Sequence, residues 1–179
     1  MPPEALIRVS RYTTGEPFFG RTGACRFDDA ARRFGTCYLG FDLTVAFAES
    51  VLHNKEPDAS GFPVPGAEID ASFALSFKGS ELKLAKLYGA ALLRLGGNGE
   101  ISGTGDYTLP QAWASALAAH PCCIDGFIYM SRRVNDAPAV VLIERDAQQP
   151  LDMQMAQDVA LFDHIDYLAT VATLGVTLI

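Results

Sequence analysis

The 179-residue sequence has no run of about 18 apolar residues, so nothing in it reads as a membrane span. Its first residues, Met-Pro-Pro-Glu-Ala-Leu-Ile-Arg, lack the basic start and long apolar core of a secretion signal, and a cytoplasmic protein is expected. Cysteine is scarce. Cys25, Cys37, Cys122 and Cys123 form no Cys-x-x-Cys pair, and in a cytoplasmic chain they read as reduced, buried thiols. The vicinal Cys122 and Cys123 do not bridge easily within an unstrained backbone. The three histidines, His53, His120 and His164, are too scattered for a zinc site, and no metal is expected. No Gly-Lys-Ser/Thr follows the Gly96-Gly-Asn-Gly99 stretch, which fits no nucleotide-binding fingerprint and reads as a mobile surface loop. Ser131 lacks a Gly-x-Ser-x-Gly elbow, which leaves a serine hydrolase weakly supported.

What is present is an ordinary globular composition, 49% hydrophobic and 20% charged, in a length that suits one domain with a sizeable core. The net charge of −7 argues against general nucleic-acid binding. The charge is uneven, however. Residues 1–41 carry Arg8, Arg11, Arg21, Arg26, Arg32 and Arg33 against Glu4, Glu16, Asp28 and Asp29, with no lysine, and the acidic excess lies in the remainder. Arginines gathered in an acidic chain suit local recognition of phosphate or carboxylate, because the guanidinium fork binds both bidentately. Surface salt bridges to the acidic remainder are the plainer explanation.

The pattern predicts strands at 6–12 and 36–41 on either side of a long, functional loop over 13–35. Asp42 is placed to cap a helix whose apolar face carries Val45, Ala48 and Leu52 and which ends before Pro57. Residues 56–66 are rich in turn formers. Further strands are expected at 71–77 and 82–87, a short helix at 90–95, a flexible loop at 96–105, and a helix at 110–120 with Pro110 near its start. A hairpin is expected from 127–130 and 139–144 around Asn135-Asp136, a short element within 159–168, and a terminal strand at 176–179. Strands and helices mix without βαβ alternation. The fold class is therefore α+β: one compact domain over 1–179, a mixed or antiparallel sheet and flanking helices.

Candidate site residues lie within this frame. Glu49 and His53 are four apart in the first long helix. They are either a surface pair or a carboxylate aimed into a cleft, where it would stabilise positive charge developing on a sugar or hold a ribose hydroxyl. Tyr38, on the preceding strand, packs in the core or stacks on a flat ring. Arg26 pairs with Asp28 or Asp29, or clamps phosphate. Arg8 sits between Ile7 and Val9, and if buried it needs an anion: a ligand phosphate, Glu49 or Asp125. Ser131 is more plausible as a hydroxyl donor beside a bound sugar or phosphate than as a nucleophile.

These pieces occur in a telling order: Leu-Ile-Arg8-Val-Ser, Cys-Arg26-Phe-Asp, Cys-Tyr38-Leu-Gly, Ala-Phe-Ala-Glu49, Gln111-Ala-Trp-Ala and Asp125-Gly-Phe-Ile-Tyr-Met-Ser131-Arg132. The set resembles the RES-domain family, named for its Arg, Glu and Ser positions, over nearly the whole chain. The resemblance implies an α+β fold related to ADP-ribosyltransferase toxins. It also implies NAD as substrate, cleaved at the nicotinamide–ribose bond, with the ADP-ribosyl group passed to phosphate, water or a target protein. It further implies a cognate antitoxin as partner, whose C-terminal part covers the active site. The charge of the arginines within 11–33 would suit an acidic tail on such a partner. Neither nucleic acid nor membrane is an expected partner. Glu49 takes the family's glutamate position, Ser131 its serine, and Arg8 or Arg26 its arginine. Tyr38 would stack on nicotinamide or support its ribose, and His53 would orient Glu49 or contact the acceptor. A non-catalytic nucleotide- or partner-binding module with the same fold is the alternative.

Overall fold

The computed structural model describes residues 1–146 and 150–179. Its centre is a seven-stranded sheet built from β1 (Ile7–Ser10), β2 (Gly35–Gly40), β4 (Phe73–Gly79), β5 (Leu84–Leu87), β6 (Gly126–Met130), β7 (Pro138–Glu144) and β8 (Met153–Ala160), with β3 (Phe62–Val64) lying outside it. The spatial order is β5-β6-β7-β2-β1-β4-β8. All neighbours are antiparallel except β5 and β6, which run parallel. This is the expected α+β architecture.

Strand β7 shows why the sheet is central. Ala139, Val141 and Ile143 face one apolar cluster and Val140 and Leu142 the other, so both of its faces are covered and its sequence is continuously apolar. Strand β2 alternates instead. Cys37 and Leu39 enter the far cluster, while Tyr38 points to the face that carries helix α1 (Leu43–Ser50). Asp42 caps that helix as expected, with a carboxylate oxygen 2.8 Å from the Val45 N–H. The strand-to-helix turn is tight. A Cβ on Gly40 would lie 2.5 Å from the Ala46 nitrogen, so only glycine fits there.

The remaining elements are α2 (Gly66–Asp70), α3 (Gly89–Arg94), α4 (Glu100–Gly103), α5 (Thr108–Ala118), α6 (Tyr167–Leu174) and β9 (Val176–Leu178). Several depart from expectation. The glycine-rich 96–105 segment holds the one-turn α4 rather than only loop. Helix α5 starts two residues before Pro110, which still falls in the first turn, where a missing N–H costs little. The whole of β8 escaped the pattern because it is an edge strand whose outer residues are mostly exposed, so its apolar alternation is faint. Strand β3, inside the turn-rich segment, pairs in parallel with β9, and Pro63 is tolerated in this two-stranded ribbon. Cys122 and Cys123 are exposed, not buried, because they sit in the surface turn between α5 and β6; Cys37 is buried and Cys25 partly so. Among the described residues no helix is long and apolar enough to cross a membrane.

Candidate active site

Glu49 stands on the last turn of α1, and it is held by Tyr129 of β6 and by Ser131, the residue just past that strand's end. The Tyr129 hydroxyl donates to Oε2 at 2.5 Å and the Ser131 hydroxyl donates to Oε1 at 2.6 Å. Tyr129 and Ser131 are two apart, which puts both on one face of the strand line. The Ser131 oxygen also accepts from the N–H groups of Arg133, at 3.2 Å, and Val134, at 3.0 Å, so its own proton is directed at the carboxylate. Ser131 is 1% exposed. The structure thus gives the Ser131 hydroxyl a protein acceptor, the Glu49 carboxylate. Tyr129 was absent from the sequence candidates. Period-two spacing from Ser131 was the signal for it, but an apolar-flanked strand tyrosine reads as core. Burial, then the neighbouring Glu49 charge, raises its phenol well above the ordinary value, so it acts as a hydrogen-bond donor.

Glu49 marks a junction. On one side lies an open cleft of about 420 Å³, a volume in the range of small-ligand sites, with Arg8, Tyr38, His53, Ser50 and Glu68 among its walls. On the other, a narrow space of about 20 Å³ runs between Glu49, Arg26, Tyr107, Arg132 and Arg133. Tyr38, Glu49 and His53 border both.

The two candidate arginines differ in how their charge is met. Arg8 Nε lies 3.0 Å from a Glu16 carboxylate oxygen that is 1% exposed, and Nη1 donates to the Tyr38 carbonyl at 3.2 Å and to the Cys37 sulfur. Its anion is thus Glu16, which the sequence reading did not consider; Asp125 is engaged elsewhere, accepting the Lys83 N–H at 2.7 Å. Burial opposes the Arg8 charge, and Cys37 and Glu16 outweigh it, so the guanidinium sits above its usual value. Arg26 is 6% exposed and pairs with neither Asp28 nor Asp29. Nη1 donates to the Thr104 carbonyl at 2.5 Å, and the guanidinium lies 4.8 Å from the centre of the Tyr107 ring. No carboxylate of the described residues is within ion-pair distance of it. Burial, with the repulsion of Arg132 added, lowers its pKa. A buried cation facing a second cation calls for an anion.

The plainer explanation holds for much of the rest of the arginine cluster. Arg11 pairs with Glu68, Arg21 with Glu144, and Arg33 with Asp29.

The loop that carries Arg26 is fastened from within. Asp28, 3% exposed, accepts from the Thr22 hydroxyl at 2.8 Å, the Cys25 N–H at 3.1 Å and the Thr36 hydroxyl at 2.5 Å. The Tyr38 hydroxyl accepts from the Phe27 N–H at 2.9 Å, which pins the phenol end of the ring and leaves Tyr38 on the cleft wall. From α5, Gln111 donates to the carbonyls of Gly23 and Cys25, both at 3.1 Å. Gln111 entered the sequence reading only as part of a pattern; here it ties the Arg26 loop to a helix.

His53 lies beyond the end of α1, not on its face, yet it still lines the cleft next to Glu49. Burial first, then the positive charges of Arg133, Arg26 and Arg132, lowers its pKa against the pull of Glu49, which favours the neutral imidazole. Its carbonyl accepts from Arg133 at 3.2 Å. No group of three His, Cys, Asp or Glu among the described residues is placed to hold a metal ion.

The family model described as the RES domain matches residues 4–163. The chain belongs to the RES-domain family. This RES-domain protein also resembles a solved structure, a chain of the M. tuberculosis MbcT–MbcA toxin–antitoxin complex. The TM-score is 0.63 at 15% identity, over 89% of this chain and 84% of that one. At that identity the likeness is one of fold. A search of curated proteins gives no match.

Proposed function

We propose that this RES-domain protein is the toxin of a toxin–antitoxin pair and that it cleaves the nicotinamide–ribose bond of NAD, passing ADP-ribose to a protein, phosphate or water. The observation that carries the reading is the Glu49 carboxylate. It is fixed by Tyr129 and Ser131 at the junction of a nucleotide-sized cleft and a narrow, cation-lined space. Family membership and the fold shared with a chain of the MbcT–MbcA complex support the partner, an antitoxin, and the toxin role.

The chemistry follows from the residues. When the bond from ribose to nicotinamide breaks, its electron pair leaves with the ring nitrogen and the ribose carbon becomes electron-poor. A carboxylate already oriented by two donors stabilises that charge without reorganising at the moment of reaction. Each Glu49 oxygen keeps a free lone pair for a ribose hydroxyl. Arg26 and Arg132 supply positive charge for the diphosphate, and neither forms an ion pair among the described residues. The Tyr38 ring offers a flat wall for nicotinamide. Neutral His53 is able to accept the proton that an oxygen acceptor loses as it bonds to the ribose carbon.

The test is incubation of the pure protein with NAD, alone, with phosphate, and with cell extract, following free nicotinamide. Release in any of these is expected, and the partner product separates the acceptors. Ligand-induced thermal stabilisation without nicotinamide in all three would instead select a non-catalytic binding module.

A further inference from the structure

Outside the cleft, the turn joining α5 to β6 carries two adjacent thiols, Cys122 and Cys123, both exposed. The other two cysteines are poor nucleophiles. Cys37 is buried and Cys25 partly so, and burial is the main cause that pushes each thiol up to about 11.

The turn is held in place on every side. The Cys123 N–H donates to the His120 carbonyl at 3.0 Å, and the Cys122 N–H donates to His120 Nδ1 at 3.2 Å. Lys83 Nζ donates to the Cys122 carbonyl at 2.8 Å. Arg145 reaches across with two bonds of 2.6 Å, to the carbonyls of Ala118 and Ile124. Lys83 and Arg145 thus brace the backbone of the short segment that bears the thiols. Cys123 is held at φ +47°, a left-handed conformation unusual for a residue with a Cβ.

We infer that the Cys122–Cys123 turn is a vicinal dithiol site that captures trivalent arsenicals, the Cys123 thiol giving up its contact with the Pro121 carbonyl, 3.6 Å away, as it does so. Adjacent Cα atoms joined by a trans peptide are about 3.8 Å apart, shorter than the roughly 4.4–6.8 Å that disulfides span. A direct sulfur–sulfur bond here is strained. A single large thiophilic atom between the sulfurs closes a ring one atom larger and relieves that strain. Trivalent arsenic fits, because it needs only two sulfurs besides its organic substituent; no group of three His, Cys, Asp or Glu placed to hold a metal ion is found among the described residues, and the nearby His120 Nδ1 is engaged by the Cys122 N–H. In the reaction an arsonous acid exchanges its two hydroxyls for two sulfurs. Two As–O bonds break, two As–S bonds form, the thiol protons leave with the hydroxyls as two waters, and arsenic keeps its oxidation state. Once one sulfur is attached, the second is already at high effective concentration.

The experiment uses the folded full-length chain and phenylarsonous acid, read by intact-mass spectrometry and titration, and it is independent of any NAD chemistry. One equivalent should bind, with a mass gain reversed by a dithiol but not by a monothiol. Cys122→Ser and Cys123→Ser should each weaken capture by at least about 100-fold, while Cys25→Ser leaves it unchanged. Absence of an adduct on the folded wild type, or an adduct that persists in both Cys122→Ser and Cys123→Ser, overturns the inference. Both substitutions fall at exposed positions, and circular dichroism checks that each variant is folded.

Discussion

Arg8 and Arg26 border the wide and the narrow parts of one site, and they are arginines of different kinds. Arg8 has its anion built in, the buried carboxylate of Glu16. Arg26 is buried too but has no ion-pair partner among the described residues: it meets a carbonyl, an aromatic face, a repelling neighbour in Arg132 and only the more distant charge of Glu49. A cation that is fully compensated serves the fold. In the proposed reading, a buried cation with no ion-pair partner, offset only by the more distant charge of Glu49, is left for a ligand anion. The sequence gives the two residues equal standing; the difference appears only when the partners are seen.

Substitution should split them along that line. Arg8→Ala leaves the buried Glu16 carboxylate with its hydrogen bonds from Ser10 and Phe18 but without its cation, and it should cost about 3 kcal/mol of stability, read as a lowered denaturation midpoint. Arg26→Ala should leave stability within about 1 kcal/mol but weaken binding of ADP-ribose or NAD by roughly 10- to 100-fold in a calorimetric titration. If Arg8→Ala lost affinity without losing stability, the assignment would be reversed.

A smaller effect tests how Glu49 is aimed. Tyr129→Phe removes one of its two donors while keeping the ring that packs on Phe27 at 4.7 Å between centroids. Turnover should fall roughly 10-fold, as expected for one charge-assisted hydrogen bond, with KM little changed. A rise in KM with kcat intact would mean that Tyr129 contacts substrate instead.

The smallest expected effect concerns His53. Its pKa is lowered in the folded protein, so the unfolded chain takes up its proton first as pH falls. The stability tied to neutral His53 is complete above its unfolded pKa, about 6.5, and is lost as pH drops from there through the folded value. Denaturation midpoints measured across that window should decline less steeply in His53→Asn. Arg132→Ala should raise the His53 pKa in an NMR titration, because one of the charges holding it down is gone. An unchanged titration would separate Arg132 from the narrow end of the site.

The sheet and the first helix were largely readable from sequence. Asp42 announces the start of α1, and the apolar runs announce β2, β6 and β7. Edge strand β8 was hidden because exposure on its outer face removes the alternation that marks a strand. In the site, Glu49, Tyr38 and His53 were legible because their spacing survives folding into one cleft. The donors and anchors were less so. Tyr129 looks like core, Gln111 like a helix-surface residue, and Glu16 like one more loop acid, and each acquires its role only through contacts between residues far apart in the chain, 80 positions for Tyr129 and Glu49. Ser131 was a candidate from its place in the sequence order, yet its burial and its bond to Glu49 could not be read from its neighbours in sequence.

If the fixed Glu49 carboxylate decides activity, Glu49→Gln should reveal it, since that substitution keeps shape and removes charge. Nicotinamide release from NAD by the purified variant should fall by at least about 100-fold, with the denaturation midpoint and ADP-ribose binding retained. Release at the wild-type rate from a folded Glu49→Gln protein would contradict the account.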